Sequence, residues 1–353
     1  MKALITGGAG FIGSHLVEYL LKHGHEVISV DDLSTGSWRN MAHLAGRDGH
    51  RFVQGSVLDP DLMDHLTAES DTVFHLAAAV GVRTIVDDPL GSLRTNLRGT
   101  ETVLDSAHRH GVRILVASTS EVYGHNTSDA LAEDAVRVLG SPLTVRWSYA
   151  EAKAVDETLT YAYWRYRGLP TVIVRPFNIV GPRQTGRYGM VIPRFVDQAL
   201  HGEPLTVYDD GTQTRCFCHV SDVVGPLAAL IEHPQAYGQV FNLGRADEIS
   251  IRELAERVIE RANSSSTIRY VPYSEAYPEG FEDMSRRVPD ISRARELIGF
   301  DPQLGLDDIL LGVIDHQVAR MAEPPGAALA MREIAGIGAE ARLRGAVTVL
   351  RGD

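Results

Sequence analysis

Through the first half of the chain, short apolar runs alternate with amphipathic stretches. Lys2–Ile5, Glu26–Val30, Thr72–Leu76, Arg113–Ala117 and Thr171–Val174 read as strands. Gly13–His23, Leu93–Arg109 and Tyr149–Arg167 read as helices, the first with Leu16, Leu20 and Leu21 on one side. Strand–helix alternation of this kind predicts a parallel sheet with helices on both faces. After Phe177 the pattern loosens. Short strands (Leu205–Tyr208, Cys216–Val220, Val240–Leu243) and helices (Met190–His201, Ile251–Arg261) interleave with Gly- and Pro-containing turns. This reads as a smaller lobe stitched into a larger one. Residues 1–176, with returning segments near 214–244, are expected to form the larger domain, and 177–213 with 245–320 the smaller lobe. The Ala/Gly-rich stretch 321–353 reads as an extension with no assigned role.

Composition narrows the partners. The 353 residues carry a formal net charge of −12, which argues against nucleic acid and anionic membranes. A local arginine cluster can still hold a small anionic substrate. The two cysteines, Cys216 and Cys218, are too close for a good bridge if they share a strand and too few to hold a metal. They read as reduced thiols, which suits the cytoplasm. The N-terminal Met1–Thr6 run is too short for a signal segment, and no apolar stretch approaches a membrane span.

Between the first strand and first helix lies Thr6-Gly7-Gly8-Ala9-Gly10-Phe11-Ile12-Gly13. Gly7 suits a tight turn, Gly10 a close approach to a pyrophosphate, and Gly13 close packing of helix on strand. The helix N-terminus then offers backbone N–H groups to an anion. Asp31 follows the second strand, where a carboxylate accepts hydrogen bonds from a ribose diol and repels a 2′-phosphate. The expected cofactor is therefore NAD rather than NADP.

Tyr149 and Lys153 are four apart at the start of a predicted helix and share a face. A phenol is a poor base at neutral pH, but a neighbouring ammonium lowers its pKa. Such a pair can take the proton from an alcohol as hydride leaves to a nicotinamide. Ser118-Thr119-Ser120-Glu121 ends the Arg113–Ala117 strand, and strand C-termini in such sheets face the ligand crevice. A hydroxyl there can bond the same substrate oxygen.

Together, the GxxGxxG loop, Asp31, the Ser/Thr cluster and Tyr-x-x-x-Lys resemble the extended short-chain dehydrogenase/reductases, over Met1 to about Gln317. The resemblance implies an α/β fold: a Rossmann-type doubly wound parallel sheet with a smaller, interleaved α/β substrate-binding lobe. It implies that Phe11, Ile12, Asp32, Leu76, Ala77, Ala78 and Asn96 join Gly7, Gly10, Gly13, Asp31, Tyr149 and Lys153 around NAD. Arg175-Pro176-Phe177-Asn178-Ile179-Val180-Gly181-Pro182-Arg183 and Thr214-Arg215-Cys216-Phe217-Cys218-His219-Val220-Ser221-Asp222 are similar to substrate segments of the nucleotide-sugar branch. Asn178, Arg187, Val191, Arg215 and Arg287 then face a UDP-sugar, within a basic cluster of Arg183, Arg187, Arg194, Arg215, Arg286 and Arg287. By the same analogy, Leu93–Arg109 and Tyr149–Arg167 form a homodimer interface.

Enzymes of this branch share a 4-keto sugar and differ in its fate. The expected catalytic set is Tyr149, Lys153, Thr119, Ser120 and Glu121. The 4,6-dehydratases carry Asp where Ser120 stands, so that reading ranks low. Thr119–Gly124 and Arg286-Arg287-Val288-Pro289-Asp290 are similar to UDP-glucuronate decarboxylases, as is Tyr277–Met284 to a bacterial 4-amino-arabinose pathway decarboxylase. Gly181–Met190 is similar to UDP-hexose and UDP-hexuronate 4-epimerases, in which Arg187 could hold a uronate carboxylate away from the pose that favours its loss. A 4-epimerase acting on UDP-glucuronate or UDP-glucose is the leading expectation, with UDP-glucuronate decarboxylase the alternative. A non-catalytic NAD-binding regulator ranks low, because both Tyr149 and Lys153 are present.

Overall fold

A computed structural model of the chain describes residues 1–81, 87–276, 284 and 286–323. The run 277–283 and the extension beyond Glu323, both singled out above, lie outside the described residues. The first half alternates as expected: β1 (Lys2–Thr6), α1 (Phe11–Lys22), β2 (Glu26–Asp31), β3 (His50–Gln54), α2 (Pro60–Ala68), β4 (Thr72–His75), α3 (Pro89–His110), β5 (Arg113–Ala117), α4 (Ser148–Arg167) and β6 (Thr171–Pro176). Here β3 and α2 are additions to the sequence reading. β3 is the edge strand and only half-buried, so it lacks a continuous apolar run. α2 starts where the Asp59 carboxylate accepts from the N–H groups of Asp61 and Leu62, each at 3.1 Å, with Pro60 in the first turn.

The second half contains β7 (Ile179–Val180), α5 (Val191–Leu200), β8 (Leu205–Tyr208), β9 (Thr214–Cys216), β10 (Cys218–His219), α6 (Val220–Glu232) and β11 (Gln239–Leu243). β12 (Glu248–Ser250), α7 (Ile251–Arg261), β13 (Ile268–Val271), α8 (Tyr273–Ala276), α9 (Ser292–Ile298) and α10 (Leu306–Met321) complete the described elements. The expected Cys216–Val220 strand is split. β9 pairs antiparallel with β12, β10 pairs parallel with β7, and Val220 opens α6. Cys216 and Cys218 thus sit in different two-stranded sheets as free, buried thiols, each pushed up to about 12 by burial.

The main sheet runs β11-β6-β5-β4-β1-β2-β3 with every pair parallel. Chain order reverses at β1, whose neighbours are β2 and β4. That switch point opens a crevice at the strand C-termini. One core gathers β1, α1, β6 and β11 with Cys218, Val220, Val223, Leu227 and Leu230 of the returning segment. A second core joins α5, β8, α7 and α10 through Phe195, Val207, Leu254 and Val313. α9, assigned above to the smaller lobe, instead has Ile291, Ala294 and Phe300 around it in the first core.

Candidate active site

One cleft of about 1420 Å³ runs across the C-terminal ends of the main sheet into the second lobe. At its floor, the loop after β1 turns at Gly7 with φ of +71°, and a Cβ there would lie 2.8 Å from the backbone N of Ala77. A Cβ on Gly13 would lie 2.1 Å from the Gly7 carbonyl oxygen. Only glycine lets the first turn of α1 sit down on this loop. Gly10 caps α1 without a side chain, and Gly7, Gly10, Phe11, Ile12 and Gly13 all line the cleft. A helix N-terminus at that place is suited to a pyrophosphate.

Asp31, at the end of β2, is 8% exposed. Its carboxylate accepts from Leu33 N at 2.8 Å and Ala9 N at 3.0 Å. Burial pushes its pKa above the usual carboxylate range, and these two amides oppose that shift. Gly36 closes over it: a Cβ there would lie 2.7 Å from both carboxylate oxygens. Asp31→Ala should weaken NAD and relax the rejection of NADP, read by titrating both dinucleotides. Equal affinity of the unaltered protein for both would overturn this role for Asp31.

Asp32, Leu76, Ala77 and Ala78 line the same cleft, but Asn96 does not. Its side chain grips the loop instead, accepting from Ala79 N at 2.9 Å and donating to Ala79 O at 3.3 Å. Asn96 therefore shapes the cleft wall from behind and is not among the residues lining it.

The wall opposite is built by β5, α4 and the turn between them. Tyr149 and Lys153 line the cleft from the first turns of α4, 6% and 1% exposed. Lys153 Nζ donates to Ala117 O at 3.0 Å and lies 3.2 Å from the Asp156 carboxylate. Ser118, Thr119, Ser120 and Glu121 all reach the cleft, with different partners. Ser118 Oγ donates to Glu157 at 2.6 Å, and Arg175 holds that same carboxylate through two bonds of 2.7 and 2.8 Å. Thr119 Oγ1 accepts from Glu121 N at 3.2 Å, capping a short turn that projects Glu121 into the cleft. Ser120 Oγ accepts from Arg287 at 3.2 Å.

Segments after β6 supply Asn178, Arg187, Val191, Arg215 and Arg287, all lining the cleft. Asn178 holds a φ of +42° and donates to Cys216 O at 2.8 Å, tying the end of β6 to β9. Arg287 is 7% exposed and reaches Asn178 Oδ1 at 3.5 Å as well as Ser120. Arg183 and Arg194 belong to the same lining, but Arg286 does not. Its guanidinium is turned outward in a two-bond pair with Glu248, at 2.9 and 2.8 Å. The sequence reading missed Tyr208, Gln213 and Tyr273 at the far end. There Gln213 Nε2 donates to Tyr208 O and Tyr273 Oη, both at 3.2 Å, and Arg194 stacks 4.5 Å above the Tyr208 ring. Only the polar Gln213 and the spaced aromatics signalled them. Among the described residues no acid–histidine–cysteine group could hold a metal ion, and no helix is long and apolar enough to cross a membrane.

Comparison with known proteins agrees with this geometry. The model of the NAD dependent epimerase/dehydratase family matches residues 3–244. The chain is 43% identical over 304 residues to a UDP-N-acetyl-alpha-D-glucosaminuronate decarboxylase of Bacillus cytotoxicus, covering 86% of this chain and 93% of the relative. It is 38% identical over 315 residues to UDP-glucuronic acid decarboxylase 1 of Danio rerio, covering 89% and 72%. Among solved structures, a UDP-glucuronic acid 4-epimerase from Bacillus cereus, in complex with UDP-glucuronic acid and NAD, superposes with a TM-score of 0.81. It is 30% identical and the match covers 91% of this chain and 100% of that one.

Proposed function

The chain belongs to the NAD-dependent epimerase/dehydratase family, and within it we propose that this protein is a UDP-hexuronate decarboxylase. The sequence reading put a 4-epimerase first. The relatives, decarboxylases of UDP-glucuronic acid and of its 2-acetamido counterpart at 38% and 43% identity, favour the alternative. The observation that carries the choice within the site is Arg287. Its buried guanidinium reaches into the cleft against Ser120, one residue from Glu121. A dehydratase-type Asp at position 120 would be drawn into an ion pair with that cation, which further disfavours dehydration.

The chemistry follows from the residues. NAD, when bound, supplies the acceptor for the C4 hydrogen with its electron pair and gives them back at the end. The Gly7–Gly13 cradle, Asp31 and Lys153 would hold it. Tyr149 would remove the C4 hydroxyl proton, and Thr119, which lines the same cleft, would bond the same oxygen. The 4-keto hexuronate is a β-keto acid. Its C5–C6 bond breaks, the carboxylate carbon leaves as carbon dioxide, and the bonding pair moves through C5 to the C4 oxygen as an enolate. Arg287 would supply positive charge to that site, and Glu121, which lines the cleft beside Ser120, would reprotonate C5.

Several secondary readings accompany this one. Two buried, reduced thiols suit a cytoplasmic enzyme. α3 and α4 pack along each other, and Val155, Tyr161 and Tyr166 of α4 are 54%, 46% and 81% exposed, which supports a homodimer through this face. Sedimentation would read the dimer out. The deciding experiment for function is NMR of the products from UDP-glucuronate and UDP-N-acetylglucosaminuronate. A UDP-pentose with carbon dioxide supports decarboxylation. UDP-galacturonate, or its 2-acetamido form, restores the epimerase.

A further inference from the structure

Beneath the catalytic lysine lies a carboxylate that the reaction does not use. Asp156 follows Lys153 by three residues on α4, so the two side chains stack along one helix face. Both are 1% exposed, and Lys153 Nζ is 3.2 Å from Asp156 Oδ2. Both carboxylate oxygens are shut away from solvent, and neither accepts a hydrogen bond of normal geometry. An ionised carboxylate in such a place is costly unless a cation compensates it, and the same holds for the ammonium.

Asp156 is also the end of a buried polar chain beneath the crevice. The Thr100 hydroxyl, from α3, lies against its carboxyl. Thr100 Oγ1 is 3.1 Å from His75 Nε2, and His75 Nδ1 is 2.8 Å from Thr6 Oγ1. Thr6 Oγ1 accepts in turn from Ala77 N at 3.2 Å, on the loop that faces Gly7. A neutral imidazole with its hydrogen on Nε2 satisfies both His75 links, and burial with the Lys153 charge pushes that ring down to about 3. The remaining charged groups nearby are already engaged. Glu157, next on α4, is held by Arg175 of β6. The β5 side offers only Ala117 and Ser118.

We propose that Asp156 is a positioning residue which keeps the buried Lys153 ammonium charged, so that Lys153 can hold Tyr149 near its phenolate form. The inference rests on the oxidation step proposed above but not on the later fate of the keto sugar. Two opposing effects of removing Asp156 must be weighed. Losing a nearby anion would by itself favour the Tyr149 phenolate slightly. Leaving a fully buried ammonium without its counter-ion penalises the charged form, because burial disfavours an uncompensated charge. The second effect is larger, and it removes the cation that Tyr149 needs.

The test is a titration of Tyr149 that needs no substrate. Ultraviolet difference spectra between proteins with and without Tyr149→Phe isolate its phenolate. Asp156→Asn should raise the Tyr149 titration by about one pH unit or more. Where turnover is measurable, its rate at neutral pH should fall about tenfold through the smaller phenolate fraction. Asp156→Glu should restore both. An Asp156→Asn protein whose Tyr149 titrates unchanged or lower overturns the proposal, even if its activity is lost, since that pattern belongs to a merely structural role. If Asp156→Asn does not fold, Thr100→Val decides. It removes the neighbouring hydroxyl that helps hold the Asp156 pKa down and should move Tyr149 the same way by a smaller amount, and an unmoved titration overturns the proposal.

Discussion

Tyr149→Phe is expected to lower kcat by at least about a hundredfold while leaving the fold and NAD binding intact. The substitution removes one oxygen and keeps the ring, and Tyr149 is 6% exposed, so packing in the first turn of α4 is retained. What is lost, on the proposed mechanism, is the group that takes the C4 proton. No other residue with a suitable base stands at that place on α4, because Lys153 must stay charged for its own role. Lys153→Met gives a contrasting result. It deprives Asp156 of its cation, and breaking a buried pair of this kind costs about 3–5 kcal/mol. Burial raises the Asp156 pKa, an effect that Lys153 opposes. A carboxyl whose folded pKa is raised above its unfolded value destabilises the fold once ionised. The Lys153→Met protein should therefore regain stability as pH falls through that raised pKa. Melting curves across pH separate the two variants: Tyr149→Phe loses rate without a pH-dependent loss of stability, and Lys153→Met loses both. Near-normal turnover in Tyr149→Phe would refute the mechanism.

The features that were legible in the sequence are those fixed by local spacing. Gly7, Gly10 and Gly13 fall at the turn, cap and first helical turn, and their identity follows from backbone approach alone. Tyr149 and Lys153 share a face because a helix has a fixed period. What escaped depends on which way a side chain turns once the chain is packed. Arg286 and Arg287 are neighbours of identical type, yet one pairs with Glu248 on the surface and the other is buried against Ser120. Ser118 and Thr119 read alike, but only Thr119 keeps its hydroxyl at the cleft without a buried carboxylate claiming it. Asn96 reads as a ligand contact, and its side chain bonds the backbone of Ala79 on the loop beside the cleft. Cys216 and Cys218 suggested one strand, and β-pairing with two different partners cut that strand between them. Asp156 gave no signal because an acidic residue three after a lysine is ordinary on a solvated helix. Only burial of both makes it an electrostatic element.

Arg287→Ala is expected to leave oxidation at C4 running and to slow carbon dioxide release on the order of a hundredfold, so that the reduced cofactor accumulates. The argument is electrostatic. When the C5–C6 bond breaks, a carboxylate leaves as a neutral molecule and its charge moves to the enolate. A fixed cation in a wall that excludes water stabilises that shift more than it stabilises the starting carboxylate only if it lies nearer the enolate. Arg287 is held in the cleft wall by Ser120 and Asn178, from the turns after β5 and β6, rather than by the substrate. Removing it costs transition-state charge stabilisation without touching Tyr149 or Lys153. Glu121→Gln should act one step later, at reprotonation of C5, and should likewise leave the first hydride transfer intact. In an epimerase the same changes would act differently. Arg287 would belong to the nucleotide wall and Glu121 would only orient the sugar, so KM would rise or both directions would slow together with no keto sugar building up. Single-turnover absorbance of the nicotinamide, followed beside carbon dioxide release, distinguishes the two. Accumulation of the reduced cofactor in Arg287→Ala supports decarboxylation. Parallel slowing of every step would return the site to the epimerase.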